Sequence, residues 1–363
     1  MRRLLVLPAL LSVATLVCAQ RPPKLPSLPE LETSAVRDSL DPDAQFRLAL
    51  GYAHKKRWDD EGRALRGAIA INPRYTPAYV ALAFLPFQRR PALAREVQKR
   101  KVPPTWRDSL VQTGRLLHQA FLIDPLAELE PPDIDAQREG AALAYMNLAL
   151  ALRFGGRPLD SLPSWVLWYR GLTAGRVGRY ASAIQDLEAL LRRGEAIESD
   201  SVTPFPVSTN EYRYLLAVLC DRAGRRAEAL SYYQQTLAGD LGNYMAHARL
   251  ARLYVGEQLW MEAVTEGERA VAANPDDGST VRELGQILLA AGRLPEAEAA
   301  VREAREQNPR DLGTEYVLGV ILVRSGRTAE ARVALERFLA LAPPTLYGPQ
   351  IDDARQRLAA LSR

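Results

Sequence analysis

The sequence predicts an all-α fold, a solenoid of stacked helical hairpins. Two observations carry this. From Asn210 to Thr345 one 34-residue pattern runs four times without a gap, opening at Asn210, Tyr244, Gly278 and Leu312. Helix-forming residues dominate throughout, and no convincing stretch alternates apolar and polar residues with the period of a half-buried strand. A single hairpin has one apolar face and nothing to bury it against, so hairpins repeated at a fixed period must stack.

The unit from Gly278 to Asp311 shows the logic. Val281, Leu284, Gly285 and Leu288 recur at helical spacing and share one face. Gly292 interrupts that helix. Leu294, Ala297, Val301 and Ala304 form a second stripe, and Asn308-Pro309 closes the unit, because a residue before proline is pushed out of helical angles. The small residues Gly285 and Ala297 mark a close approach of two antiparallel helices. The neighbouring units place like residues at like positions: Leu318-Gly319, Ala331 and Phe338 in the last, Leu250-Ala251, Ala263 and Ala270 in the second, Leu216-Ala217, Gly224 and Ala229 in the first. In period and spelling, residues 210–345 resemble the tetratricopeptide repeat family. The resemblance implies a right-handed superhelical solenoid of helix-turn-helix repeats whose first helices line a concave groove.

From the N-terminus, Arg2-Arg3 precede an apolar run ending in Val17-Cys18-Ala19. Residues 1–19 read as a signal peptide cleaved after Ala19, which predicts an exported, periplasmic or cell-envelope protein. The run is short for a membrane span. An uncleaved anchor is one alternative; a lipoprotein modified on Cys18 is another, disfavoured by the bulky Val17 before it. Cleavage lowers the net charge from +4 to +2, since Arg2 and Arg3 leave and no acid does. The basic pI is therefore no argument for nucleic acid. Cleavage also leaves Cys220 as the sole cysteine, at a core-facing position and without an internal disulfide partner.

Residues 20–40, with Pro22, Pro23, Pro26 and Pro29, read as an extended linker. Residues 41–197 read as divergent repeats with insertions. Leu48, Tyr52, Trp58, Leu65, Ala68 and Asn72-Pro73 keep the register, while Lys56 and Glu61 stand where small residues are usual. Thr76 to Pro125 is a further copy lengthened by the basic segment 89–107. The acidic stretch 126–139 lacks the glycine and oxygen spacing of a calcium loop. Ala141 to Phe154 forms a helix, and the pattern returns over Ser164 to Ile197. Residues 198–209 form a linker, 210–345 the four regular repeats, and 346–363 a capping helix with a polar back.

His54, His118 and His247 lie far apart, in different repeats, and no HExxH, CxxC, GxSxG or phosphate-loop spelling occurs. The expectation is a protein without enzymatic activity, cofactor or metal. In the family, positions two, five, nine, twelve and thirteen of each repeat face the groove. Carried onto this sequence, they make Tyr214, Arg222, Met245, Arg252, Arg282, Gln286, Tyr316 and Arg324 the groove residues. Arginine forks match carboxylates and tyrosines add rigid contact area. The implied partner is an acidic or carboxylate-bearing protein segment with apolar anchors. The lysine-and-asparagine clamp of chaperone-binding members is missing from these positions. The function this implies is a non-catalytic protein-binding scaffold or adaptor of the cell envelope. Two alternatives stand beside it: a peripheral subunit docked permanently on the periplasmic face of a membrane complex, and an envelope enzyme or accessory domain with a site in 127–163.

Overall fold

The structure, a computed structural model, describes residues 26–98, 103–127, 158–194 and 208–361. The expected signal peptide 1–19, the acidic stretch beyond Ala127, the helix from Ala141 to Phe154 and most of the linker 198–209 lie outside the described residues.

Among the described residues every regular element is helical, and seven hairpins follow one another along the chain, the first packed on the second and each from the third onward on the next. They are α2 (Pro42–His54) with α3 (Trp58–Ile71), α4 (Thr76–Arg89) with α6 (Arg107–Ile123), α7 (Ser164–Arg176) with α8 (Tyr180–Arg193), α9 (Thr209–Arg222) with α10 (Arg226–Gly239), α11 (Tyr244–Gly256) with α12 (Trp260–Ala273), α13 (Gly278–Ala290) with α14 (Leu294–Gln307), and α15 (Leu312–Arg324) with α16 (Thr328–Leu341). The short helix α5 (Leu93–Gln98) and a single 3₁₀ turn lie between α4 and α6. Two further helices flank the stack, α1 (Leu28–Arg37) against α2 and α17 (Pro344–Leu361) against α16. The chain is an all-α solenoid.

Within the stretch 20–40 the structure corrects one expectation. Leu28–Arg37 is helical and not extended, because Pro29 falls in the first turn, where a helix has no use for an N–H. The Glu30 carboxylate also reaches back to accept from Ser27 N and Oγ, 2.7 Å each. This helix buries Leu31 and Ala35 against α2, where a Cβ on Gly51 would lie 2.6 Å from Leu31 Cδ1.

The regular turns have a common construction. Gly178, Gly224, Gly292 and Gly326 hold φ between 74° and 78° at the turn between the two helices of a hairpin. The residue after the left-handed one is arginine in most units and precedes the second helix, and in four hairpins it pairs with an acid three residues on. Arg57 Nε lies 2.6 Å from Asp60, Arg225 Nε 2.6 Å from Glu228, Arg293 Nε 2.7 Å from Glu296 and Arg327 Nε 2.7 Å from Glu330. The acid sits in the first turn, where the helix dipole favours negative charge. Small residues then set the helix spacing: a Cβ on Gly319 would lie 2.5 Å from Leu335 Cδ2.

The core of the described residues follows these contacts in four apolar clusters. One feature breaks chain order. Phe121, Leu122 and Leu126, at the end of α6, join the cluster built by α7 to α11, beside Leu167, Leu187, Tyr212, Tyr214 and Tyr233. At the other end, Leu40 packs against the cluster of Leu312, Leu335, Phe338, Ile351 and Ala354. The first hairpins therefore reach across the inner face of the later ones.

Candidate protein-binding groove

The first helices α9, α11, α13 and α15 present the eight sequence-selected residues, and the structure divides them. Tyr214 is fully buried: its hydroxyl donates to the Leu122 carbonyl and accepts from Arg249 Nε at 3.2 Å, and its ring meets Phe121 edge-on. Met245 is also enclosed, at 2% exposure. Neither is open to a partner, because the chain's own α6 covers this part of the groove. Arg282 is largely buried and lies 3.0 Å from Asp311, the residue whose other oxygen caps α15 by accepting from Gly313 N at 2.9 Å. Half-buried Tyr316 donates to Asp353 of α17 at 2.8 Å. Arg222 meets Asp124 at 2.9 Å, and Arg324 donates to the Leu289 carbonyl at 2.8 Å. Arg252, half exposed, has Glu283 at 3.6 Å, and Gln286 faces solvent.

The groove is thus occupied over much of its length by residues from the first two hairpins. Arg74, in the turn between α3 and α4, places its guanidinium fork on both oxygens of Glu283, with Nη2 3.1 Å from Oε2 and 3.5 Å from Thr280 Oγ1. Gln119 Nε2 donates to the Tyr244 hydroxyl at 2.5 Å, and Arg249 Nη2 to the Ile123 carbonyl at 2.8 Å. Burial works against a charge on Glu283, but the Arg74 and Arg252 guanidiniums overcome it and hold its carboxyl below the usual range. Burial likewise opposes the charge on Arg74, and Glu283 more than restores it. The pair is ionised and little exposed.

Glu283, Arg249, Tyr244 and Arg74 were not legible as site residues. Arg249 lies one position from a groove position of its repeat, and Arg74 is 209 residues from its partner. Neither carries a local signal.

A family model described as tetratricopeptide repeat matches residues 170–246, 248–311 and 282–345. Residues 170–345 belong to the tetratricopeptide repeat family. No curated protein matches it. Among solved structures it is similar to MamA (41-end) from Desulfovibrio magneticus RS-1, with 18% identity and a TM-score of 0.43 over 49% of this chain and 94% of that one. It is also similar to the C-terminal part of a TPR repeat-containing protein from Cytophaga hutchinsonii, with 12% identity and a TM-score of 0.48 over 62% of this chain and 84% of that one.

What remains open of this tetratricopeptide groove is a rim on α9, α11 and α13. One cavity of about 280 Å³ lies between Asp221, Arg226, Arg249, Arg252 and Leu253. A second, of about 140 Å³, lies between Arg252, Val255, Glu283, Gln286 and Ile287. Arg252 lines both. Away from the rim, His247 is buried with Nδ1 2.5 Å from Glu266 and Nε2 3.2 Å from the Leu241 carbonyl. Both ring nitrogens are engaged in packing the repeat. Burial pushes the Cys220 thiol up to about 11, which leaves little thiolate for chemistry near neutral pH.

Proposed function

We propose that the protein is an exported, non-catalytic scaffold of the cell envelope that holds an acidic or carboxylate-bearing protein segment on the open rim of its concave face. Tetratricopeptide arrays in general serve as protein-interaction scaffolds. The observation that carries the finer reading is Arg252, half exposed, loosely engaged at 3.6 Å from Glu283 and shared by the two rim cavities. At that distance from Glu283 its guanidinium can still turn to take a carboxylate fork. Val255, Leu253 and Ile287 line the same cavities with apolar surface for an anchoring side chain. Export rests on the first 19 residues, and the mature N-terminus read by sequencing tests it; a protein retaining Met1 would end that part of the reading.

In-cell cross-linking of the tagged native protein, with mass spectrometry of the captured partner, identifies the segment. Arg252→Glu with Arg226→Glu, both lining the larger rim cavity, should then reduce capture about tenfold or more, from the loss of charge-assisted hydrogen bonds. The melting temperature should change little. Arg282 is not a suitable probe, since its guanidinium bridges α13 to Asp311 at the start of α15. Capture unaffected by the double substitution would make the rim arginines bystanders.

A second reading draws on Leu259, Trp260 and Met261, which stand exposed in a row at the start of α12. It makes the protein a peripheral subunit docked through apolar surface on the periplasmic face of a membrane complex. Among the described residues no helix is long and apolar enough to cross a membrane itself. Recovery of one complex at fixed stoichiometry, cross-linked through α12, would select this reading over the rim.

A further inference from the structure

We infer that the first two hairpins are a releasable occupant of the concave face, latched by the Arg74 guanidinium in a seat formed by Glu283 and Thr280. The inference concerns regulation of the face proposed above as the partner site, and it rests on that reading for its consequence. Two unlike attachments hold these hairpins. Near Asp124 the contact is deep, an apolar core with polar ties around it: Phe121, Leu122 and Leu126 are part of the core of α7 to α11, and Tyr214, Arg249 and Arg222 bond to Leu122, Ile123 and Asp124. Farther out it is mainly polar, made by Arg74 on Glu283 and Thr280 and by Gln119 on the Tyr244 hydroxyl, with half-buried Leu40 the one apolar side chain that reaches the cluster of Leu312 and Phe338. A body with a deep core at one end and mostly polar ties at the other can pivot on that core once the ties and the shallow Leu40 contact let go.

The latch itself is suited to opening. Taking both charges of an ion pair out of water offsets most of their attraction, so such a pair gives specificity more than stability. Arg74 is also imperfectly served, because its buried Nε has no hydrogen-bond partner. Breaking a buried pair is normally costly since it strands the remaining charge. Glu283 is not stranded: Arg252 already stands 3.6 Å away and can close on the vacated carboxylate. Arg74, on the turn Asn72 to Tyr75, would return to water. Release uncovers Thr280 and the Tyr244 hydroxyl, and Arg252 then serves either Glu283 or a partner's carboxylate.

The test needs no partner. In the full chain with Cys18 and Cys220 replaced by alanine, Ala70→Cys and Ala299→Cys place spin labels on exposed positions of α3 and α14, and pulsed electron resonance reads the distance between them. Arg74→Glu, which sets two carboxylates against each other, should shift the distribution to longer distances. Adding Glu283→Lys to it should bring the distribution back. An Arg74→Glu distribution identical to the parent, or no recovery in the double variant, overturns the latch. Should Arg74→Glu fail to fold by circular dichroism, Arg74→Ala decides: a second, longer population supports the latch, and a single parental distance overturns it. Because no ligand is present, failure of the rim arginines to bind a partner leaves this result unaffected.

Discussion

At the scale of single residues, Glu61 is the clearest departure from the repeat. The buried position it fills holds alanine in later hairpins, as Ala183, Ala229, Ala263, Ala297 and Ala331. Glu61 is 1% exposed, and burial lifts its carboxyl to about 7, with the Arg89 guanidinium and the Gln88 amide offsetting part of the cost. A folded-state value raised above the ordinary 4.5 means that the unfolded chain loses this proton first. The contribution to stability therefore falls as pH rises from about 4.5 to about 7 and stays low above it. Glu61→Gln should remove that decline and raise stability at about pH 8 by an amount on the order of 2 kcal/mol. Urea unfolding at about pH 5 and about pH 8 measures it; an equal pH dependence in the variant would refute the assignment. The oddity of Glu61 was visible in the sequence as a broken repeat position. Its titration was not, because burial and the approach of Arg89 are properties of the packed hairpins.

At the scale of elements, the turn inside each hairpin shows what a repeat requires. Its left-handed residue is glycine in four hairpins, but Lys56 and Gln258 take the same turn with φ of 57° and 59°. A side chain in that region costs about 1–2 kcal/mol, while glycine gives back roughly half of this through its freer unfolded state. Gln258→Gly should accordingly stabilise the chain by about 0.5–1 kcal/mol, and Gly292→Ala should destabilise it by about 1 kcal/mol or more. Thermal unfolding of the two variants checks both signs. The periodic glycines made these turns readable in advance. Leu28–Arg37 is hard to read for the opposite reason: four prolines suggest an open chain, and only the cap that Glu30 supplies to Ser27 marks a helix start.

At the scale of the whole molecule, a stack of hairpins has two ends, and each must be covered. The last apolar surface is closed by α17, where Tyr347 meets Phe338 edge-on at 5.4 Å and Ile351 and Ala354 are buried. A chain ending at Pro343 would expose Phe338, Leu335 and Leu312 together. Such a truncation should melt at a lower temperature and self-associate as its concentration rises, read by analytical ultracentrifugation. A monomeric truncation with unchanged melting would show that α17 is dispensable.

The sequence by itself determined the hairpins, their register and the tetratricopeptide family of the array, because these depend on spacings of three, four and 34 residues that are local along the chain. The family resemblance it carries implied that the first helices of the repeats form the inner face. What occupies that face was decided by tertiary structure alone. Tyr214 and Met245 became core, Arg282 became a bridge to Asp311, and Glu283 became a seat for Arg74. The physical reason is distance in sequence. A repeat pattern reports which way a side chain points from its own helix, whereas the partner of Glu283 arrives from 209 residues away, carried there by how far the stacked hairpins curve.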